Sequence, residues 1–543
     1  MVNRDVERAR QANSAFSQLT LPQLIAQRAQ EHPDRVFIRQ VDADSMTYNQ
    51  LHDAATRWAA AYRLAGVQPG DPVLTMLPLS LDFYRSAMGL AWILGVEVPV
   101  NTEYRGSLLL HAIRCAQPKV IVAHADLVDR FEEIAAEVDP RPFLVVVGAD
   151  ESPPSTNYPT VTMESFLKDV SPLQDLAGPK PWDVASIMYT SGTTGPSKGV
   201  IMPWGQLYEI ATRGNRMSEF TESDSFYLPS VTYHMAAKGV AYTMALVNGQ
   251  VVIRDRFSAS SFFADVARFH CTIANMFGAT AQLLNATEPK PDDATTPLRH
   301  VLMSPLLADI EGFMRRFGIE VTTGYGMTEI GPVICSPTGA VSNDTHRSCG
   351  RLMPGYEARL VDEHDYEVPD GEVGELIVRS ERPWTLNLGY VGLPDESMTA
   401  WRNGWFHTGD GFRVDADGSF YFVDRLKDVI RRRGENISSF EVEAIVNSHP
   451  DVLESAAIPV PSDLGEDDVK VVVVRRVGAD VNELDLIEFL VPIMPRFMIP
   501  RYVEFVDALP KTPTDRVRKA LLREAGVTPR TWDRTNAAVK SAT

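Results

Sequence analysis

The chain is predicted to be an α/β protein: a large N-terminal domain of parallel-sheet α/β subdomains plus a β-subdomain, then a small α+β C-terminal domain. Two patterns carry that expectation. Over roughly the first four hundred residues, short apolar strand-like runs alternate with longer helical runs, the order in which helices come to cover both faces of a largely parallel sheet. Beyond Gly355 the texture changes to strand-length runs separated by Pro-Asp-Gly and Asp-Gly turns, the mark of antiparallel pairing. At 543 residues the chain also exceeds what one core ordinarily holds, so two or more domains are expected.

Each element has its own local reason. Leu21, Leu24, Ile25 and Ala29 fall on one face of a helix over Leu21–Glu31, and residues 49–65 repeat the pattern. Residues 72–76, 119–123 and 143–147 are short continuous apolar runs, as buried parallel strands require. The most apolar stretch, 87–96, is broken by Glu97 and is too short to cross a bilayer, so a buried helix is expected. Residues 151–181, rich in Ser, Pro and Asp, read as a surface connection. Strands are expected over 356–361, 374–379 and 418–423. A charged segment at 424–428 reads as a hinge, which divides the chain into 1–423, 424–428 and 429–543. In the last part, Ser438-Ser439-Phe440-Glu441 has the form of a capping box opening a helix that ends before Pro450. A strand over 469–474 and a helix over 482–493 follow.

Composition excludes several classes. The 52 basic and 71 acidic side chains leave a net charge of −19, which argues against extended nucleic-acid binding. With 44% hydrophobic and 23% charged residues the chain reads as a soluble globular protein. Cys115, Cys271, Cys335 and Cys349 are widely spaced with no C-x-x-C pair, the usage of reduced thiols in a cytoplasmic protein. The charged start Met1-Val2-Asn3-Arg4-Asp5 has no secretory character, no transmembrane segment is expected, and no carrier domain follows the last helix.

Tyr189-Thr190-Ser191-Gly192-Thr193-Thr194-Gly195-Pro196-Ser197-Lys198-Gly199-Val200 is the most informative segment. Glycines let the backbone approach an anion, hydroxyls add donors and Lys198 adds a point charge, a set suited to a polyphosphate. A P-loop would need Lys then Ser or Thr directly after the second glycine, and this spacing does not provide it. A plain flexible connector is the bland alternative. Thr323-Gly324-Tyr325-Gly326-Met327-Thr328-Glu329 places a ring between glycines beside a hydroxyl and a carboxylate; alone, it could be a tight turn next to a core tyrosine. Gly404-Trp405-Phe406-His407-Thr408-Gly409-Asp410 ends in an aspartate able to accept two hydrogen bonds or merely to cap a turn.

In this order, and together with Asp424-Arg425-Leu426-Lys427-Asp428 and Arg433-Gly434-Glu435-Asn436, the motifs resemble those of the adenylate-forming enzymes, over about residues 20 to 525. Phe422-Val423-Asp424-Arg425 looks most like the carnitine/crotonobetaine-type CoA ligases. The resemblance implies that Thr190, Ser191, Gly192, Thr193, Thr194, Gly195 and Lys198 hold ATP phosphates. It implies that Tyr325, between Gly324 and Gly326, stacks on adenine, that Thr328 bonds the phosphate region and that Glu329 holds Mg²⁺. Asp410 would clamp the ribose, Arg425 would meet ribose or phosphate, and Lys427 would be the hinge of a mobile small domain. Gly434, Glu435 and Asn436 would line the path of a thiol acceptor, CoA. The resemblance places Thr232, His234, Phe277, Gly278, Ala279, Met303 and Gly324 around the acid, with His234 at the carboxylate entrance.

One ending departs from the pattern. The family's Pro-Lys-Thr-x-x-Gly-Lys stands here as Pro510-Lys511-Thr512-Pro513-Thr514-Asp515-Arg516, with Lys519 three residues on. Arginine keeps the charge but is not an ammonium point charge. Three readings stay open: Arg516 does the work, Lys519 reaches in, or adenylation is impaired. The implied activity is ATP-dependent conversion of a fatty or related apolar carboxylic acid to acyl-AMP and then to its CoA thioester, with AMP and pyrophosphate released. The alternatives are loading of a carrier-protein thiol, a luciferase-like oxygenase, and a degenerate nucleotide-binding protein. A homodimer is compatible with the chain.

Overall fold

The computed structural model describes residues 20–149, 154–174, 176–190, 197–214, 219–426, 428, 430–432, 435–462, 467–496, 498–512 and 516–535. Two seven-stranded, mostly parallel sheets form the first part of the chain. One runs in the order Thr160–Thr162, Phe143–Val147, Val120–His124, Pro72–Met76, Val96–Pro99, Val184–Tyr189, Gly199–Pro203, and only its last pair is antiparallel. The other runs Glu320–Thr322, His300–Ser304, Ile273–Phe277, Ser225–Pro229, Gln250–Arg254, Val36–Gln40, Ser45–Thr47.

Strands in these sheets are apolar on both faces because helices cover both. Val73, Val120, Val122 and Val145 share one core with Phe37, Ile38, Phe226 and Val251 of the other sheet. Helices Leu21–Glu31, Tyr48–Leu64, Leu81–Trp92 and Met235–Leu246 lie in that shared layer. The alternate residues Leu74, Ile121 and Leu144 point the opposite way, under Gly106–Ala116. Period-two alternation in the strands thus generates layered helix–sheet packing. The Tyr48–Leu64 helix starts at a true capping box: Gln50 N donates to Thr47 Oγ1 (3.2 Å) and Thr47 N to Gln50 Oε1 (2.9 Å).

One polar network crosses the buried layer. Lys238, on the Met235–Leu246 helix, is 2% exposed and pairs with the equally buried Glu97. Its Nζ also donates to Ser186 Oγ (3.1 Å), and Thr75 Oγ1 donates to Glu97 Oε1 (3.1 Å). Buried charges persist only when paired and hydrogen-bonded, so the network fixes the helix against the strand Val184–Tyr189.

A third seven-stranded sheet is antiparallel, in the order Gly324–Met327, Gly331–Cys335, Ser348–Leu352, Phe420–Arg425, Phe406–Val414, Gly374–Ser380, Tyr356–Val361. The smaller C-terminal domain holds a hairpin, Ile430–Arg432 with Glu435–Ile437, and a four-stranded sheet of Val452–Pro461, Asp467–Arg475, Tyr502–Val506 and Trp532–Asp533. The fold class is as the sequence predicts, with two local differences. The apolar stretch 87–96 is shared between the end of the helix Leu81–Trp92 and the first residue of the strand Val96–Pro99, because Leu94 takes φ +62° and turns the chain. Within 151–181, a strand Thr160–Thr162 and a helix Met163–Leu167 form, the helix capped by Thr162 Oγ1 accepting from Ser165 N.

Candidate functional site

The stems of the Thr/Ser/Gly loop are a β-hairpin. Tyr189 pairs with Gly199, and Thr190 N donates to Lys198 O (3.0 Å), which closes the ends of the loop. Ser191, Gly192, Thr193, Thr194 and Gly195 lie outside the described residues. The far edge of the return strand is held by residues 389–391: Ile201 N donates to Gly389 O (3.0 Å) and Val391 N to Gly199 O (2.9 Å). That pairing brings Tyr390 against the loop's lysine, with Lys198 Nζ 4.9 Å from the centroid of its ring.

Tyr390 also reaches the second motif. Its hydroxyl donates to Glu329 Oε1 (3.2 Å), and Asn387 binds Glu329 O through both its backbone N (2.9 Å) and Nδ2 (2.8 Å). Glu329 is buried, its Oε2 accepts no hydrogen bond among the described residues, and burial pushes the carboxyl above its ordinary range. Asn387 and Tyr390 were not singled out from sequence. The sequence signal for them is the Asn-Leu-Gly-Tyr run before the turn at Gly392 (φ +68°).

Gly324 and Gly326 lie in a strand pressed against Gly331–Cys335. A Cβ on Gly326 would stand 2.4 Å from Gly331 O, and one on Gly324 would stand 2.6 Å from Ile334 O, so backbone proximity demands glycine at both. Between them Tyr325 packs edge-on to Phe412 (4.7 Å, 72°) and stacks toward Phe422 (6.5 Å, 24°). Its hydroxyl donates to Asp410 Oδ2 (2.6 Å). Thr328 O accepts from Gln206 Nε2 (2.9 Å), which fixes the turn into Glu329.

Asp410 and Arg425 are register partners on adjacent antiparallel strands, with Arg425 Nε 3.3 Å from Asp410 Oδ1. Burial raises the Asp410 carboxyl; Arg425, the Tyr325 hydroxyl and Arg516 oppose the shift. Arg516 comes from the small domain. Thr512 N donates to Arg516 O (2.7 Å) and Arg516 N to Thr512 Oγ1 (3.1 Å), and Lys511 and Val517 form an antiparallel bridge. Arg516 keeps an exposed flank, yet desolvation around its guanidinium and then the charge of Arg425 weaken its hold on the proton, while Asp410 and Glu329 strengthen it. The same arginine acts on His234, whose imidazole is pushed down to about 4, by desolvation first and by Arg516 second.

Lys519 has a different place. Its Nζ bonds Ser439 Oγ and lies 2.7 Å from Glu443 Oε1, within the small domain. Of the two basic residues at this ending, Arg516 is the one whose charge is felt at Asp410, Glu329 and His234, while Lys519 is engaged with Glu443 and Ser439.

Of the residues expected around the acid, His234 precedes the helix Met235–Leu246, and its ring meets Phe277 edge-on (6.0 Å, 65°), with Phe277 61% exposed. Gly278 sits 3.0–3.3 Å from Pro305 when given a Cβ, too close for a side chain to fit without a shift. Only the backbone of Ala279 is described. Two of the residues expected around the acid are buried. Thr232 is buried and spends its hydroxyl on Leu77 O (2.9 Å). Met303 is buried in the core beside Val301 and Phe313, because its strand position faces the helical layer; the next residue, Ser304, faces out and donates to Gly324 O (2.9 Å). Lys427 and Gly434 lie outside the described residues, and the side chains of Glu435 and Asn436 likewise.

A test of Mg²⁺ rests on Glu329. A hard dication bridging phosphates needs one free carboxylate oxygen, and the unpartnered Oε2 provides it. Among the described residues no group of three or more His, Cys, Asp and Glu forms a closed metal cage, and no helix is long and apolar enough to cross a membrane.

Comparison with known proteins places this geometry. The AMP-binding enzyme family model matches residues 25–391, and the AMP-binding enzyme C-terminal domain model matches 441–516. The chain is 30% identical over 497 residues to the crotonobetaine/carnitine–CoA ligase of Proteus mirabilis, covering 88% of this chain and 93% of that protein. It is 28% identical to the corresponding ligase of Citrobacter koseri over 485 residues, with the same coverage. Among solved structures, ATP-bound MatB from Rhodopseudomonas palustris superposes with a TM-score of 0.80 at 26% identity, covering 93% of this chain and 99% of that one. The anthranilate CoA ligase AuaEII, in complex with anthranoyl-AMP, shares the fold with a TM-score of 0.82 at 23% identity, covering 97% and 98%.

Proposed function

The chain belongs to the AMP-binding enzyme family and is an acid–thiol ligase of the acyl-CoA synthetase kind, and from that premise we propose how its own residues carry the two half-reactions. In the first, a carboxylate oxygen attacks the α-phosphorus of ATP, the bond to the β-phosphate oxygen breaks, and pyrophosphate leaves with the electron pair. In the second, the CoA thiol loses its proton, sulfur attacks the acyl carbon of the acyl-AMP, and AMP leaves.

The observation that carries the residue assignment is the Tyr325–Asp410–Arg425 cluster, with Arg516 from the small domain exerting its charge on Asp410, Glu329 and His234. Phosphoryl-type transfers ask the protein mainly for positioning and charge neutralisation. Lys198 is placed to neutralise the leaving pyrophosphate, and Arg516 to neutralise charge between the acid and the α-phosphate. The Tyr325 ring offers a face to adenine, and Asp410 accepts from the ribose hydroxyls. Mg²⁺ held by Glu329 Oε2 would supply further neutralisation of the phosphates. His234, neutral well below physiological pH, can donate to a carboxylate without adding a second fixed cation beside Arg516.

Phe277, the exposed ring that His234 meets edge-on, carries no charge. That supports an acid with an uncharged tail. The test is ATP- and Mg²⁺-dependent thioester formation from CoA over a panel of aliphatic, aryl and dicarboxylic acids, run beside pyrophosphate exchange. Thioester from uncharged-tail acids is the expected result. Turnover confined to dicarboxylates would overturn the tail assignment, and exchange without thioester would overturn CoA as the acceptor.

A further inference from the structure

Both stems of the 191–196 loop lean on one helix that the mechanism has not used. Gly106–Ala116 covers the outer face of the first sheet and packs Leu109, Ala112 and Ile113 into its core. Its remaining face meets the loop. His111 Nε2 lies 3.0 Å from Ser197 O, and the hydroxyl of Tyr104, just before the helix, lies 3.3 Å from Ser197 Oγ. On the other stem the Tyr189 hydroxyl donates to Ala112 O (3.1 Å), and its ring sits edge-on to His111 (6.4 Å, 69°).

The protonation of His111 follows from its partners. A carbonyl oxygen can only accept, so Nε2 carries the hydrogen toward Ser197. Cys115 Sγ lies 3.7 Å from both Nδ1 and Nε2, so it packs beside the ring and favours neither nitrogen. The bond to Ser197 O is what orients the imidazole. Ser197 is the residue immediately before Lys198.

We propose that His111, assisted by Tyr104, is a positioning residue that holds the Ser197 main chain, and with it Lys198, toward the ATP polyphosphate. Fixing the residue before Lys198 to a packed helix sets where the lysine stands before the nucleotide arrives. The effect is felt by the β- and γ-phosphates and not by the adenosine end, which Tyr325 and Asp410 hold. This inference rests on the polyphosphate reading of the loop.

The experiment compares binding of a non-hydrolysable ATP analogue with Mg²⁺ to binding of AMP, by calorimetry on the full chain, which needs no knowledge of the acid. His111→Ala should weaken the ATP analogue about fivefold, the worth of one hydrogen bond, and leave AMP within about twofold. His111→Gln, which keeps an N–H at the Nε2 position, should restore the analogue's affinity, and Tyr104→Phe should give a smaller loss in the same direction. Lys198→Ala separates the two levels of the argument. If Lys198→Ala weakens the analogue selectively but His111→Ala does not, the clamp is overturned and the loop reading stands. If Lys198→Ala has no selective effect either, the loop reading itself fails. Equal losses for ATP analogue and AMP in His111→Ala, without rescue by Gln, would make His111 a packing residue and overturn the proposal.

Discussion

The Tyr325 hydroxyl donates a 2.6 Å hydrogen bond to Asp410 Oδ2 across 85 positions of sequence. Each residue thereby orients the other. The bond fixes the ring proposed to face the base, and it satisfies one oxygen of a buried carboxylate while Oδ1, which Arg425 approaches at 3.3 Å, accepts no hydrogen bond among the described residues.

Tyr325→Phe keeps the ring and deletes that donor. A hydrogen bond to a charged group is worth on the order of 1.5–3 kcal/mol, so AMP and ATP affinities should both fall by about tenfold or more. Because burial already raises the Asp410 carboxyl, losing the tyrosine donor raises it further, and the loss of AMP affinity should deepen as pH falls. Calorimetric AMP binding at two pH values checks this. An unchanged affinity would remove Asp410 from the nucleotide.

Arg516 and Lys519 should separate cleanly on two readouts. Arg516→Ala removes a charge that acts in the transition state and should lower pyrophosphate exchange by about 10²–10³-fold with little change in Tm. Arg516→Lys should retain exchange within about tenfold of the parent, since charge survives and the planar fork does not. Lys519→Ala strips the partner from Glu443, whose carboxyl burial raises and Lys519 pulls back down. Its expected effect is a Tm lower by about 5 °C with a much smaller loss of exchange. The reverse pattern would assign the catalytic charge to Lys519.

Much of the framework was legible because it is local. The strands Pro72–Met76 and Phe143–Val147 are continuous apolar runs, and Leu21–Glu31 has one apolar face; each formed over the residues its pattern marks out. Ser438 caps its helix as its position suggests, accepting from Glu441 N (3.2 Å), whereas the Glu441 carboxylate lies 3.9 Å from Arg347 and no reciprocal bond completes the box. Contacts made at long range were not legible. Nothing near Tyr390 in sequence points to Glu329, 61 residues away. Thr232 and Met303 show the same limit from the other side: the resemblance placed both around the acid, but the turn after Ser225–Pro229 gives the Thr232 hydroxyl to Leu77 O and strand direction puts Met303 in the core. The choice between Arg516 and Lys519 likewise depends on Ser439 and Glu443, which only the folded chain brings to Lys519.

The pH dependence of stability should carry a signature of His234. Its pKa falls from 6.5 to about 4 on folding, so between those values the unfolded chain binds the proton and the folded chain does not. Stability therefore rises with pH through that window and is lost as pH falls from 6.5 toward 4. His234→Asn should flatten that part of the Tm–pH profile relative to the parent. An identical slope in both proteins would mean that His234 is protonated in the folded state at ordinary values.

Asp424 ties the nucleotide-side strand to the small domain. Its Oδ2 accepts from Ser439 N (2.6 Å) and Ser439 Oγ (2.5 Å), at the start of the helix Ser439–Val446, while Ser438 Oγ donates to Val423 O (2.6 Å). A carboxylate at a helix N-terminus gains from the unsatisfied N–H groups there. These bonds span the segment that contains Lys427, and they hold the small domain in the arrangement where Arg516 faces Asp410 and Glu329. A turn of the small domain, proposed as the way a thiol gains access, would break them. Asp424→Asn removes the charge with little change of shape, so it should favour departure from this arrangement. The expected result is pyrophosphate exchange lowered by about tenfold, with release of thioester from added acyl-AMP unchanged or faster. Equal loss of both half-reactions, tracking a lower Tm, would reduce Asp424 to a cap for its helix with no part in choosing between the two steps.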